Sequence, residues 1–254
     1  MLREIFVHLL PESCREEALR GGVAVVIDVL RATTTIVHAL AAGASAVIPC
    51  GEIDEARRLA ADYPVGSVLL GGERHGTRIE GFDLDNSPAR YTADAVHGKT
   101  LVFTTTNGTR ALLRAVGARR VLVAAFANLR SVVTVLLAET GPVHIVCAGT
   151  DGRITLEDAL CAGAIVSGLV QTGEFSRPFS DETVLAATLF EMSGGNAESR
   201  LETLRISRGG LNLIKLGMET DIDIASRQNT FDIVPELFQD PWRIQPTTAN
   251  PPIK

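Results

Sequence analysis

The sequence lacks the signatures of several large functional classes. It contains no GxGxxG, which argues against a dinucleotide site, and no GxxxxGK[ST] phosphate loop. No GxSxG occurs, so serine-hydrolase chemistry is not indicated. The five histidines (His8, His38, His75, His97, His144) form no HxxxH or HExxH pair, which disfavours a zinc site of that kind. The four cysteines (Cys14, Cys50, Cys147, Cys161) show no CxxC spacing and read as free thiols in a reducing cytoplasm. No apolar run approaches the roughly 20 residues needed to span a bilayer, so no membrane association is expected. The opening "MLREIFVHLLPESC" is broken by His8 and Pro11 and does not have the shape of a secretory signal. A net charge of -6 speaks against binding nucleic acid through a basic surface.

What is present is an alternation. Apolar, β-branched runs such as "VAVVIDV" (23 to 29) read as strands buried on both faces. Helical patterns such as "TIVHALAAGA" and "EIDEARRLAADY" separate them. The series continues to "TLEDALCAGAIVSGLV", which implies a largely parallel sheet covered by helices. Beyond Gly173 the chain reads as mostly helical, through "DETVLAATLFEMS", "AESRLETLRIS" and "GLNLIKLGM". The expected organisation is one α/β domain over 1–244 and a disordered, proline-rich tail over 245–254. Oligomeric state is open, and a homodimer is compatible with the composition.

Three strand-to-helix junctions carry unusual chemistry: "DVLRATTT" (28–35), "TTTNGTR" (104–110) and "AGTDGRITLED" (148–158). In a parallel sheet such junctions share one rim, where ligands bind. A helix start offers free N–H groups and a partial positive charge, and small hydroxyl residues let an anion approach. "TTTNGT" therefore suits a phosphate, although Thr106 or Asn107 could be a plain N-cap. Asp28, at the end of a buried strand, fits a phosphoryl acceptor or a metal ligand, or else a partner of Arg31 or a cap of the next helix. Arg31 could hold an oxyanion at two points, or form a surface ion pair of little value. In "GGERHGTRIEGFDLDNSP" (71–88), Glu73 and Arg74 stand at a strand exit on the same rim. Asn86-Ser87-Pro88 looks like a helix start. Thr155 and Asp158 fit a relaxed capping box, which leaves Glu157 free; at least one of the two carboxylates is expected to bind Mg²⁺.

The stretches "VVIDVLRATTTIVHAL", "LLGGERHGTRIEGFDLDNSPARY", "TTTNGTRAL" and "VCAGTDGRITLEDALCAGA", in this order, resemble the 2-phosphosulfolactate phosphatase family. The resemblance covers about residues 5 to 172 and is weaker in "SRGGLNLIKLGMETDIDIA". It implies a three-layer α/β/α sandwich with a largely parallel central sheet and a helical C-terminal third. It also implies a magnesium-dependent phosphatase hydrolysing 2-phospho-3-sulfolactate to 3-sulfolactate and phosphate, in the route to coenzyme M. Another phosphorylated 2-hydroxy acid, or binding of a phospho-metabolite without catalysis, are the alternatives. On this reading Asp28, Arg31 and Arg74 are catalytic. Thr33, Thr34, Glu73, Asn86, Ser87, Thr105, Thr106, Asn107, Gly108, Thr109 and Thr150 bind the small anionic substrate. Asp28, Glu157 and Asp158 hold Mg²⁺. Arg110 and Arg153 are further guanidinium groups near the rim.

Overall fold

The computed structural model describes residues 2–176, 180–193 and 195–247. Its elements begin with β1 (Ile5–His8), β2 (Val23–Ile27), α1 (Ala32–Ala41), β3 (Ala46–Pro49), α2 (Ile53–Ala61), β4 (Val68–Arg74) and β5 (Thr77–Arg78). There follow α3 (Ala93–Val96), β6 (Thr100–Thr104), α4 (Gly108–Arg114), β7 (Arg120–Ala124), α5 (Leu129–Ala138), β8 (Val143–Cys147) and α6 (Leu156–Val170). The last third holds α7 (Asp181–Met192), α8 (Ala197–Ile206), α9 (Arg208–Lys215), α10 (Glu219–Ala225), β9 (Pro235–Gln239) and β10 (Trp242–Pro246).

The apolar run of β2 explains the layering. Its side chains alternate between two faces, and both are covered. Val23, Val25 and Ile27 enter a core shared with Leu136 of α5 and Ile165 of α6. Ala24 and Val26 enter a second core with Ile36 of α1 and Leu112 of α4. The result is a three-layer α/β/α arrangement around a mixed, mostly parallel ten-stranded sheet of order β1-β8-β2-β7-β9-β10-β3-β6-β4-β5.

Two parallel blocks make up most of this sheet, β1-β8-β2-β7 and β3-β6-β4. Between them lies the β9–β10 hairpin, antiparallel to β7 on one side and to β3 on the other. The helical expectation for the last third holds for α7 to α10, but the segment that follows is strand. The tail expected from residue 245 begins too early, because Gln245 and Pro246 pair with Glu236 and Pro235. Proline lowers strand propensity, yet this one stands at a strand end where no further ladder bond is required. Residues 248–254 lie outside the described residues. All four cysteines are unpaired and buried, and among the described residues no helix is long and apolar enough to cross a membrane.

Charge as well as hydrogen bonding ties the hairpin to β7. Arg120 Nε donates to Glu236 Oε1 at 2.8 Å, and Arg120 also pairs with Glu139, which Arg119 reaches at 2.6 Å. The Arg120 side chain is only 16% exposed, so removing its charge leaves Glu236 without a partner in a poorly solvated place, while Glu139 keeps Arg119. Arg120→Met is expected to destabilise the protein by about 3 kcal/mol, because one member of a buried pair is lost without its partners. For a chain of this size that corresponds to a fall in Tm of roughly 6–12 °C in a thermal melt. A Tm within about 2 °C of the parent would show that the network contributes nothing.

Candidate active site

The three junctions meet. Asp28 follows β2 directly, and its Oδ1 accepts from the Ala32 N–H at 3.3 Å in the first turn of α1. Its Oδ2 lies against Gly108, the first residue of α4. Asp158 of α6 accepts from Val29 N–H at 2.8 Å and from Gly149 N–H at 3.0 Å, which binds the end of β2 to the end of β8. Asn107 Oδ1 accepts from Asp151 N–H at 3.3 Å, which joins the second and third junctions. A cavity of about 300 Å³ opens at this meeting point, lined by Asp28, Arg31, Glu73, Asn86, Thr106, Asn107 and Thr150 among the expected residues.

Other expected residues stand behind this wall. Thr33 Oγ1 donates to the Asp28 carbonyl at 2.9 Å and Thr34 Oγ1 to the Val29 carbonyl at 2.8 Å. Both hydroxyls are therefore used in fastening the start of α1. Thr105 and Thr109 bond to each other across the first turn of α4. Ser87 donates to Asp221 at 2.5 Å. Asp158 has both carboxylate oxygens engaged by backbone donors, which makes it a clamp of the frame. The anion-cradle expectation for "TTTNGT" is modified in one respect: the Thr106 N–H is taken by Glu73 Oε1 at 2.8 Å.

Arg74 is not brought to the cavity. Successive residues of a strand point to opposite faces, so if Glu73 faces the cavity its neighbour cannot. The Arg74 guanidinium donates instead to the Gly51 carbonyl at 2.8 Å and to Thr104 Oγ1 at 3.0 Å. Arg110 reaches out to Glu12 at 3.6 Å, and neither it nor Arg153 is in the lining. Arg31 is the rim arginine that remains. It forms no surface pair: its side chain is 3% exposed and bonds Asp221 at 2.7 Å.

Part of the wall was not legible beforehand. Gly209, Asn212, Leu213 and Leu216 line the cavity along α9 and its C-cap, with Lys215 beside them. Their spacing of i, i+3, i+4, i+7 is one helical face, which is the signal the sequence offered. His75 and Gly76 line the opposite lip. They are the two central residues of the β4–β5 hairpin, both at positive φ (54° and 80°), a primed turn that suits His-Gly.

The site is short of positive charge at its acidic end. Burial raises the Asp28 carboxyl well above the carboxylate range, and the charges of Asp158, Glu73 and Glu157 push the same way, against the pull of the Ala32 N–H. Burial, then Asp158, lift Glu157 to about 8. Burial also raises Asp158 to about 6, although the Val29 and Gly149 N–H groups oppose it. Glu157 Oε2, Asn86 Oδ1 and Thr106 Oγ1 are buried without a hydrogen-bond partner. Such groups are expensive unless something binds them. Among the described residues, no three or more His, Cys, Asp or Glu side chains are gathered so as to hold a metal by themselves.

Residues 8–240 match the family model described as 2-phosphosulpholactate phosphatase. A protein of Symbiobacterium thermophilum named "Probable 2-phosphosulfolactate phosphatase" is 44% identical over 86% of this chain and 92% of its own length. Proteins of the same name from Caldicellulosiruptor saccharolyticus and Deinococcus radiodurans are each 42% identical, over 87% and 91% of this chain and 91% and 92% of their own lengths. The model spans nearly the whole chain, and with it every residue that lines the cavity; the chain belongs to the 2-phosphosulfolactate phosphatase family.

Proposed function

We propose that the protein is a Mg²⁺-dependent phosphoric monoester hydrolase that converts 2-phospho-3-sulfolactate and water to 3-sulfolactate and phosphate. The observation that carries this reading is the cavity where three strand-to-helix junctions converge, with Asp28 on one wall and the cationic side chains of Arg31 and Lys215 on others. A substrate bearing phosphate, carboxylate and sulfonate needs several separate positive groups at once, and these two supply part of that requirement. The Lys215 side chain makes no hydrogen bond or ion pair with the described residues, so its ammonium group is available to an anion.

The residues present fit a magnesium ion. Mg²⁺ takes oxygen ligands, needs only one or two carboxylates and keeps waters and substrate phosphate as the rest. Asp28 and Glu157 would hold it; the upward pKa shifts of both carboxyls and the orphaned Glu157 Oε2 support that choice. When bound, the ion would neutralise phosphoryl oxygens and lower the cost of charge developing on them.

The chain's own groups do the rest. Glu73 holds the Thr106 N–H at 2.8 Å and the Gly76 N–H at 2.7 Å, which fixes the α4 start and the hairpin tip as opposing walls. Arg31 binds and orients an oxyanion, and Lys215 holds a second anionic end at the mouth. In the reaction the bond from phosphorus to the C2 oxygen breaks. The oxygen of water ends on phosphorus, and the C2 oxygen leaves with a proton.

The test is release of phosphate from 2-phospho-3-sulfolactate with and without Mg²⁺, alongside thermal melts. Turnover requiring Mg²⁺, with a Tm that rises by several degrees on adding the ion, is expected; a ligand present at about 100 times its Kd adds about 2.7 kcal/mol. Glu157→Gln should abolish that rise. Protection from heat by the phosphorylated acid with no phosphate released would leave only a binding protein, and the proposal would fail.

A further inference from the structure

Arg31 is aimed by residues far from it in the chain. Its Nη1 donates to Asp221 Oδ2 at 2.7 Å and touches Met218 Sδ at 3.0 Å; its Nη2 donates to the Gly76 carbonyl at 2.8 Å. A guanidinium has five N–H donors. Three are spent on these contacts, which leaves Nε–H and one Nη2–H for the cavity that Arg31 lines. Asp221 itself is 3% exposed and is not part of the cavity wall. Its other oxygen, Oδ1, accepts from Ser87 Oγ at 2.5 Å. Ser87 follows Asn86, whose buried Oδ1 is unpartnered in the same cavity. One carboxylate from α10 thus fixes two walls contributed by separate parts of the chain.

We propose that Asp221 is a positioning residue: it holds the Arg31 fork, and through Ser87 the Asn86 side chain, so that their free polar atoms face the substrate. The proposal rests on the phosphatase reading. Asp221 does not touch the substrate. A buried guanidinium aimed at a ligand needs a partner on its far side, since an unpaired buried charge is costly and a loose fork loses two-point geometry. Asp221 meets both needs. It also makes the C-terminal helices part of the site: α9 supplies one wall and α10 supplies the brace behind Arg31.

A double-mutant cycle on the full chain tests this. Asp221→Asn is expected to raise KM for 2-phospho-3-sulfolactate about tenfold with a much smaller change in kcat, the sign of lost binding common to ground and transition states. Arg31→Lys removes the fork and keeps the charge. In that background Asp221→Asn should change KM by less than about twofold, because residues acting through one another are not additive. Ser87→Ala leaves no charge unpaired and should raise KM about threefold, so it serves if Asp221→Asn folds poorly. Equal factors for Asp221→Asn in both backgrounds, or an unchanged KM in a folded Ser87→Ala and Asp221→Asn, would overturn the proposal. If the wild type releases no phosphate, the phosphatase reading fails by itself. The same cycle read by calorimetric binding of inorganic phosphate then decides the positioning role, with additive losses counting against it.

Discussion

Asp28→Asn should lower kcat by about 10³-fold or more, equivalent to roughly 4 kcal/mol of barrier, while the protein remains folded. The expectation follows from where the carboxylate sits. It is the acid at the end of β2, held between the first turns of α1 and α4, and it lines the cavity. Two chemical routes lead from there, attack by water and attack by the carboxylate itself to give a phospho-aspartate. Both need an ionised oxygen at this position, as ligand or as nucleophile, and an amide supplies neither. Stability should move the other way. Asp28 is buried beside Asp158, Glu73 and Glu157, and each of those charges opposes its ionisation. An asparagine still offers an oxygen to the Ala32 N–H and removes the repulsion, so Tm should be equal or higher. Functional groups held in an unfavourable setting show this split. Phosphate release within about threefold of the wild type would remove Asp28 from the mechanism.

How much of this was readable beforehand depends on the kind of signal. The layers followed from β2 and its fellows, because five consecutive buried apolar residues have only one economical placement, between two helical layers. That the junctions of Asp28, Asn107 and Thr150 share one rim followed from the parallel strands, but the sequence did not fix that they are neighbours; β6 stands well apart from β2 in the strand order. Side-chain direction was the weaker link. Glu73 and Arg74 are adjacent, and both had suitable chemistry, but strand alternation allows only one of them into the cavity. Threonine hydroxyls posed the same problem. Thr33 and Thr34 look like ligands in a list of residues, yet a hydroxyl at a helix start has backbone carbonyls within reach and bonds to them first. The hairpin between the blocks was masked by its prolines, Pro235, Pro241 and Pro246. Asp221 and α9 were out of reach for another reason. They come from a helical region more than 170 residues from Arg31, and only the folded chain shows which helix end meets which loop.

Gly108→Ala should cost about 10²-fold in kcat/KM with little change in stability, since a displacement of about 1 Å at a reacting group is enough for such a loss. The glycine is not there for a turn. Its φ lies outside the positive region, and as the first residue of α4 it accepts alanine without backbone strain. What it provides is room. A Cβ at this position would come 2.5 Å from the Ala32 Cβ and 2.8 Å from Asp28 Oδ2, closer than real Cβ atoms approach. Ala32 is held in α1, so the carboxylate or the whole α4 start must move. Overpacking of this kind costs about 1–3 kcal/mol, while alanine returns up to about 1 kcal/mol of helix propensity, so Tm should drop by only a few degrees. The loss of activity should therefore come through Asp28, and a second experiment separates that route from general damage. In an Asp28→Asn background the carboxylate is already gone, and Gly108→Ala should lower the residual rate by less than about twofold. A full hundredfold loss in both backgrounds would mean that the glycine serves α4 itself rather than the placement of Asp28.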